Sequence, residues 1–236
     1  MRRIGKISLL GALALIVMLS VTAKAQDHSA SYPGMAPIDQ YLMTDRDAEI
    51  ALARSAAPEA ISGDATILVL GRKGYKTAVE GKNGWVCVVE RSWMSPFDSP
   101  EFWNPRMRGP VCLNPPAVKS ILPMTYKRTE MALAGKSREQ IRDACKAAFE
   151  KKELPALEPG AMSYMMSKEQ YLTDEGGHNF VPHLMFYTPH MDPAVWGADL
   201  PKSPVLSNPQ FEGAEPIDVF VVPVRRWSDG TPASVM

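Results

Sequence analysis

Three of the chain's four histidines fall close together, at positions 178, 183 and 190. Imidazole is a common zinc ligand and the usual general base near neutral pH. The spacing runs across a Gly-Gly turn and a strand-like stretch and matches no standard ligand motif. His178, His183 and His190 are therefore predicted either to hold a metal ion or, as the preferred interpretation, to be ordinary hydrogen-bonded or surface residues.

Methionine suggests a second metal chemistry in the same part of the chain. Thioether sulfur together with imidazole is a ligand set that suits copper. Methionine is also a common filler of irregular cores, and the face that His183 shares with alternate residues fits simple packing equally well. The residues concerned are Met162, Met165, Met166, Met185 and Met191. Zinc and copper are both retained as candidate cofactors, and the sequence requires neither.

Aromatic residues mark the stretch 92–116, which is rich in proline and predicts a long ordered loop. Trp93 and Trp103 are its largest side chains. Aromatic residues in a loop either line a ligand cleft or anchor the loop to the core. We expect any ligand site to lie where this loop meets His178 and His183.

Motifs for nucleophilic catalysis are absent from the sequence. There is no G-x-S-x-G elbow, no serine-lysine motif with its supporting elements and no phosphate-binding glycine loop. This absence favours binding over catalysis, and an enzyme is kept as the alternative.

The elements that must position these residues indicate an α+β fold. Strand-like runs at 65–70, 75–79 and 85–90 are separated by short glycine-containing turns, which predicts a three-stranded antiparallel meander. Ser137 and Gln140 form a capping-box pattern ahead of a helix that reaches about residue 153. Further strands are predicted at 161–167, 183–187 and 217–225.

Three cysteines are present, at positions 87, 112 and 145. Cys87 and Cys112 occur in similar apolar settings and are predicted to form a disulfide, with two buried thiols as the alternative. Cys145 lies on the apolar stripe of the predicted helix after Ser137, and it is expected to be a buried, inert thiol.

The first 25 residues have the pattern of a signal peptide. A basic start is followed by an apolar run and an Ala-Lys-Ala sequence, which predicts cleavage between Ala25 and Gln26. The apolar run is shorter than the ~20 residues of a spanning helix. Residues 26–43 are interpreted as an extended arm and residues 44–236 as one domain. The protein is expected in the periplasm or outside the cell, without stable membrane insertion after cleavage.

Removal of this leader changes the charge balance. The whole chain has 26 basic and 26 acidic residues, and Arg2, Arg3, Lys6 and Lys24 leave with the leader, so the mature chain has a net charge of about −4. Nucleic acid favours clustered lysine and arginine, so it is not expected as a partner.

Several phrases resemble a family of uncharacterised bacterial exported proteins. They include NGWVC at 83–87, PVCL at 110–113 and PHLMFY at 182–187. The resemblance covers most of the mature chain and implies a fold unit and an export route, without an assigned activity. It also implies that Trp85 and Cys87 with Cys112, and His178 with His183, belong to one recurring arrangement.

Taken together, the sequence predicts an exported α+β protein that binds a small molecule or an envelope protein without catalysis. The alternative is a zinc- or copper-dependent enzyme or metal-binding protein that uses His178, His183 and His190. A purely structural envelope protein is the third class.

Overall fold

A computed structural model describes residues 32–174, 180–208 and 215–233, and an eight-stranded sheet runs through the described part. The strands are β1 Thr66–Gly71, β2 Gly74–Val79, β3 Val86–Glu90, β4 Gly109–Leu113, β5 Met162–Met165, β6 His183–Thr188, β7 Leu206–Asn208 and β8 Asp218–Pro223. The helices are α1 Arg46–Arg54, α2 Glu59–Ser62, α3 Pro115–Ser120, α4 Leu122–Leu133 and α5 Arg138–Glu150. The predicted α+β class is confirmed. The leader, its cleavage site and His178 lie outside the described residues.

Helix α5 begins where its sequence pattern places it. The Ser137 hydroxyl accepts a hydrogen bond from the Gln140 backbone, and the Gln140 side chain accepts one from the Ser137 backbone, which completes the capping box. Ile141 and Cys145 face the core and are fully buried. Burial raises the pKa of the Cys145 thiol to about 11, so the thiol stays protonated at neutral pH.

The strand order β2-β1-β3-β4-β5-β6-β8-β7 corrects the predicted meander. Strand β3 pairs with β1 rather than β2, and it runs parallel to β1 while the other neighbours are antiparallel. The link between β2 and β3 crosses the start of β1, where the Lys82 backbone N–H donates to the Asp64 carbonyl at 2.8 Å. Gly81 makes the crossing feasible, because a Cβ there would lie 2.2 Å from the Thr66 backbone nitrogen.

Strand β4 corrects a second prediction, because it lies inside the stretch that was expected to be a loop throughout. Its neighbour β3 places Cys87 directly opposite Cys112, and the two form the predicted disulfide. Both cysteines are fully buried beneath α1, against Leu52 and Ala53.

Loss of this disulfide should destabilise the protein. The chain-entropy model gives about 3.5 kcal/mol for a loop of this length. The double variant C87A/C112A should therefore lose about 3 kcal/mol of unfolding free energy in urea titrations. A C145A variant is the matched control, because it removes a buried thiol without opening a loop. Equal loss in both variants would contradict the assignment.

The two faces of the sheet are covered by different helices. Helix α1 packs on the face that carries the disulfide, and α3, α4 and α5 pack on the face that carries Val86 and Val88. Residues 32–43 belong to this structure instead of forming an extended arm. Tyr41 is fully buried, its hydroxyl donates to the Trp103 carbonyl at 2.8 Å, and its own carbonyl accepts from Arg91 at 2.7 Å.

Candidate functional site

The two tryptophans proposed as ligand contacts are core residues. Trp93 is 0% exposed and Trp103 is 5% exposed. The Trp93 indole N–H donates to the Thr129 hydroxyl at 3.0 Å, and its ring packs against Tyr41. They anchor the loop to the core, which is one of the two roles expected of aromatic residues in this loop.

The two described histidines lie at opposite ends of β6. His183 begins the strand and is buried, whereas His190 follows its end and is exposed, with Nδ1 2.7 Å from an Asp218 carboxylate oxygen. A strand of six residues is about 20 Å long. One metal ion therefore cannot bind both rings, which corrects the three-histidine site. No cluster of three or more histidine, cysteine or acidic residues within the described ranges is arranged to hold a metal.

A cleft of about 450 Å³ lies where the Trp93 loop meets His183. Its floor is one face of the sheet. The register of the strand pairs from β3 to β8 places the side chains that form the floor on the same face. The segment 94–96 and Met107 form its roof, with Leu172 and Phe180 beside them. The floor residues are Glu90, Gly109, Met165, His183, Met185 and Val221, continued on β7 by Leu206.

His183 is held in one tautomer at the cleft. Its Nδ1 lies 2.8 Å from the Val181 carbonyl oxygen, so Nδ1 carries the proton and donates. Burial lowers the pKa of His183, which keeps the ring neutral near pH 7. Nε2 is then a hydrogen-bond acceptor, and it has no hydrogen-bond partner among the described residues.

Glu90 places a carboxyl group at the other side of the same floor. The Thr125 hydroxyl donates to Glu90 Oε1 at 3.1 Å, while Oε2 has no hydrogen-bond partner in the described part of the chain. Burial raises the pKa of Glu90 to about 7, against the lowering effect of Thr125 and Arg128. Such a shift is typical of groups that serve a function in a cleft.

Arg128 is buried next to Glu90 but pairs with another carboxylate. Its Nε donates to Glu215 Oε1 at 2.8 Å, and its Nη1 donates to the carbonyls of Trp93 and Ser95. The guanidinium carbon lies 4.0 Å above the Phe97 ring. Arg128 thus neutralises Glu215 and fixes the roof segment over the cleft.

Four thioethers line the cleft, from Met94, Met107, Met165 and Met185. Only Met165 and Met185 belong to the methionine set that the sequence suggested for copper. Methionine is flexible and polarisable, so it adapts to ligands of irregular shape. The cleft wall is therefore apolar and adaptable.

Sequence reasoning missed Glu90, Met94 and Met107. A signal for Glu90 exists, because it continues the alternation of Val86 and Val88 and so points to the same buried face. Met94 and Met107 carry no comparable signal, because their positions depend on how the loop folds back over the sheet.

A second groove of about 640 Å³ runs between residues 33–38 and the start of α5. Gly34, Met35 and Lys136 are among the residues that line it. Trp103 also lines this groove, together with the charged side chains of Arg138 and Glu139.

No protein-family model matches the chain, and no curated protein or solved structure matches it.

Proposed function

We propose that this chain is an exported protein, periplasmic or secreted, whose methionine-lined cleft binds a small, largely apolar molecule without converting it. One observation carries the proposal. An apolar cleft of about 450 Å³ contains two open acceptors, Nε2 of His183 and Oε2 of Glu90. Small-molecule sites have this combination of volume, apolar lining and few polar groups.

Export is supported by the signal-peptide pattern of residues 1–25 and by the buried Cys87–Cys112 disulfide, since disulfides persist in oxidising compartments. Along the described residues, no helix is both long enough and apolar enough to cross a membrane.

Binding without chemistry is supported by the arrangement of the polar groups. Strands β3 and β6 are separated by β4 and β5, so Glu90 and His183 start from backbones about 14 Å apart. The nearby hydroxyls are engaged elsewhere: Ser95 donates to the Met107 sulfur at 3.3 Å, and Ser207 donates to Asp199. A nucleophile activated by His183 is not assembled from these groups.

The test is binding of the neutral fluorescent probe N-phenyl-1-naphthylamine to the folded protein. We expect saturable binding at one site and at least a tenfold loss of affinity in a G109L variant, because the new side chain fills the cleft floor. A Cβ at Gly109 meets mainly the flexible end of Met165, at 3.1 Å, so the variant should fold.

The matched control is G34L. Gly34 lies in the second groove, and a Cβ there meets nothing within 4 Å. This variant should bind the probe as the unaltered protein does. Failure of the unaltered protein to bind the probe, or loss of binding in G34L but not G109L, would overturn the proposed site.

A further inference from the structure

We infer that the ligand of the methionine-lined cleft is an organic monocation, an amine with an apolar body, whose ammonium group binds the open Oε2 of Glu90. This inference rests on the proposed function and specifies its ligand class.

The charges in the cleft favour a cationic ligand. Among the described residues that line it, Glu90 alone carries a formal charge when ionised, because burial keeps His183 neutral. Arg128, the buried cation whose charge acts on Glu90, is engaged by Glu215. An ammonium group would thus supply the countercharge that the protein leaves out, and an anion in the same place would face an unpaired carboxylate.

The hydrogen-bonding groups of the cleft also favour an ammonium group as the ligand's polar end. Glu90 Oε2 is an open acceptor, and an ammonium group offers three donors and no acceptor. The methionine side chains Met165 and Met185 lie on β5 and β6 of the same floor. They provide an apolar surface for the body of a ligand that begins at Glu90 and extends toward His183.

A bare Cu(I) ion is the rival occupant, since thioether and imidazole are its ligands. The volume of about 450 Å³ is far larger than one ion requires. The two open acceptors, His183 Nε2 and Glu90 Oε2, lie on strands three spacings apart, so a single ion cannot bind both. The geometry therefore favours an extended organic cation over a single metal ion.

The affinity should depend on pH through Glu90. The groups around its carboxyl are Thr125, Arg128 and Glu215, with the phenols of Tyr75 and Tyr187, whose pKa values burial raises, so they stay neutral. Burial raises the pKa of Glu90 to about 7, so a proton displaces the amine as pH falls through that value. Between pH 8 and pH 6 the apparent affinity for an amine should fall about tenfold.

The experiment compares three ligands with the same chain length, octylamine, octanol and octanoate, as competitors of the bound probe at pH 8. Octylamine is charged there, as a lysine side chain is. We expect octylamine to bind about 10- to 100-fold more tightly than octanol, and octanoate to bind most weakly. Glu90→Gln should abolish the preference for octylamine over octanol and the pH dependence of octylamine binding. The exposed Glu158→Gln is the control that should keep both.

The outcomes separate the two proposals. If the probe binds but octylamine has no advantage over octanol, or keeps its advantage in Glu90→Gln, the amine inference is wrong and the cleft stands. If the probe does not bind at all, the proposed function fails. Stoichiometric Cu(I) binding that Met185→Leu weakens, together with no amine preference, would replace the organic cation with a metal ion.

Discussion

Replacing Arg128 with methionine is expected to cost about 3–5 kcal/mol of unfolding free energy, because the Glu215 carboxylate would remain buried without a cation. Arg128 and Glu215 are almost fully buried, with Arg128 Nε 2.8 Å from Glu215 Oε1. The substitution also removes the donors to the carbonyls of Trp93 and Ser95, which hold the roof of the cleft. Urea unfolding followed by tryptophan fluorescence measures the loss, and probe affinity should fall with it.

A double variant isolates the electrostatic part of this effect. Arg128→Met combined with Glu215→Gln removes both charges and keeps the two side chains similar in volume. It should be clearly more stable than Arg128→Met alone, since an uncompensated buried charge costs more than a missing pair. A double variant no more stable than the single one would show that the ion pair is not the source of the stability.

Replacing Gly81 with alanine is expected to destabilise the fold by about 3 kcal/mol or more, because the added methyl group collides with backbone. A Cβ at Gly81 would lie 2.2 Å from the Thr66 nitrogen, 2.3 Å from the Ala65 carbonyl carbon and 2.4 Å from the Asp64 oxygen. Backbone at the start of β1 cannot move without disturbing the pairing of β1 with β3. Thermal unfolding and circular dichroism provide the measurement.

Gly71→Ala is the matched control for Gly81→Ala. Gly71 ends β1, and a Cβ there meets only the Gly74 carbonyl oxygen, at an ordinary 3.7 Å. The Gly71→Ala variant should lose less than about 1 kcal/mol of unfolding free energy. Equal sensitivity at the two positions would argue against the parallel pairing of β1 with β3.

Local signals in the sequence predicted local structure well. The capping box at Ser137, the strand runs and the buried stripe of α5 depend on neighbouring residues, so a single sequence reveals them. The Cys87–Cys112 pairing also followed, since two apolar strand-like settings flank the loop.

Long-range features were harder to predict for physical reasons. The parallel pairing of β3 with β1 depends on a chain crossing at Gly81, which local turn rules cannot foresee. The prolines around β4 suggested a loop, although Pro110 lies opposite Val89 within a strand pair. Trp93 is an aromatic residue of a loop but belongs to the core, whereas Glu90 and methionines distant in sequence form the cleft.

The most direct test of the central claim is a ¹³C-methyl NMR titration of the methionine residues with octylamine. The methyl groups of Met94, Met107, Met165 and Met185 line the cleft, whereas Met35 lines the second groove and Met124 is buried in the core. We predict that the four cleft resonances shift saturably at pH 8 and that those of Met35 and Met124 stay in place. Shifts at Met35 with none at the cleft methionines would contradict the account.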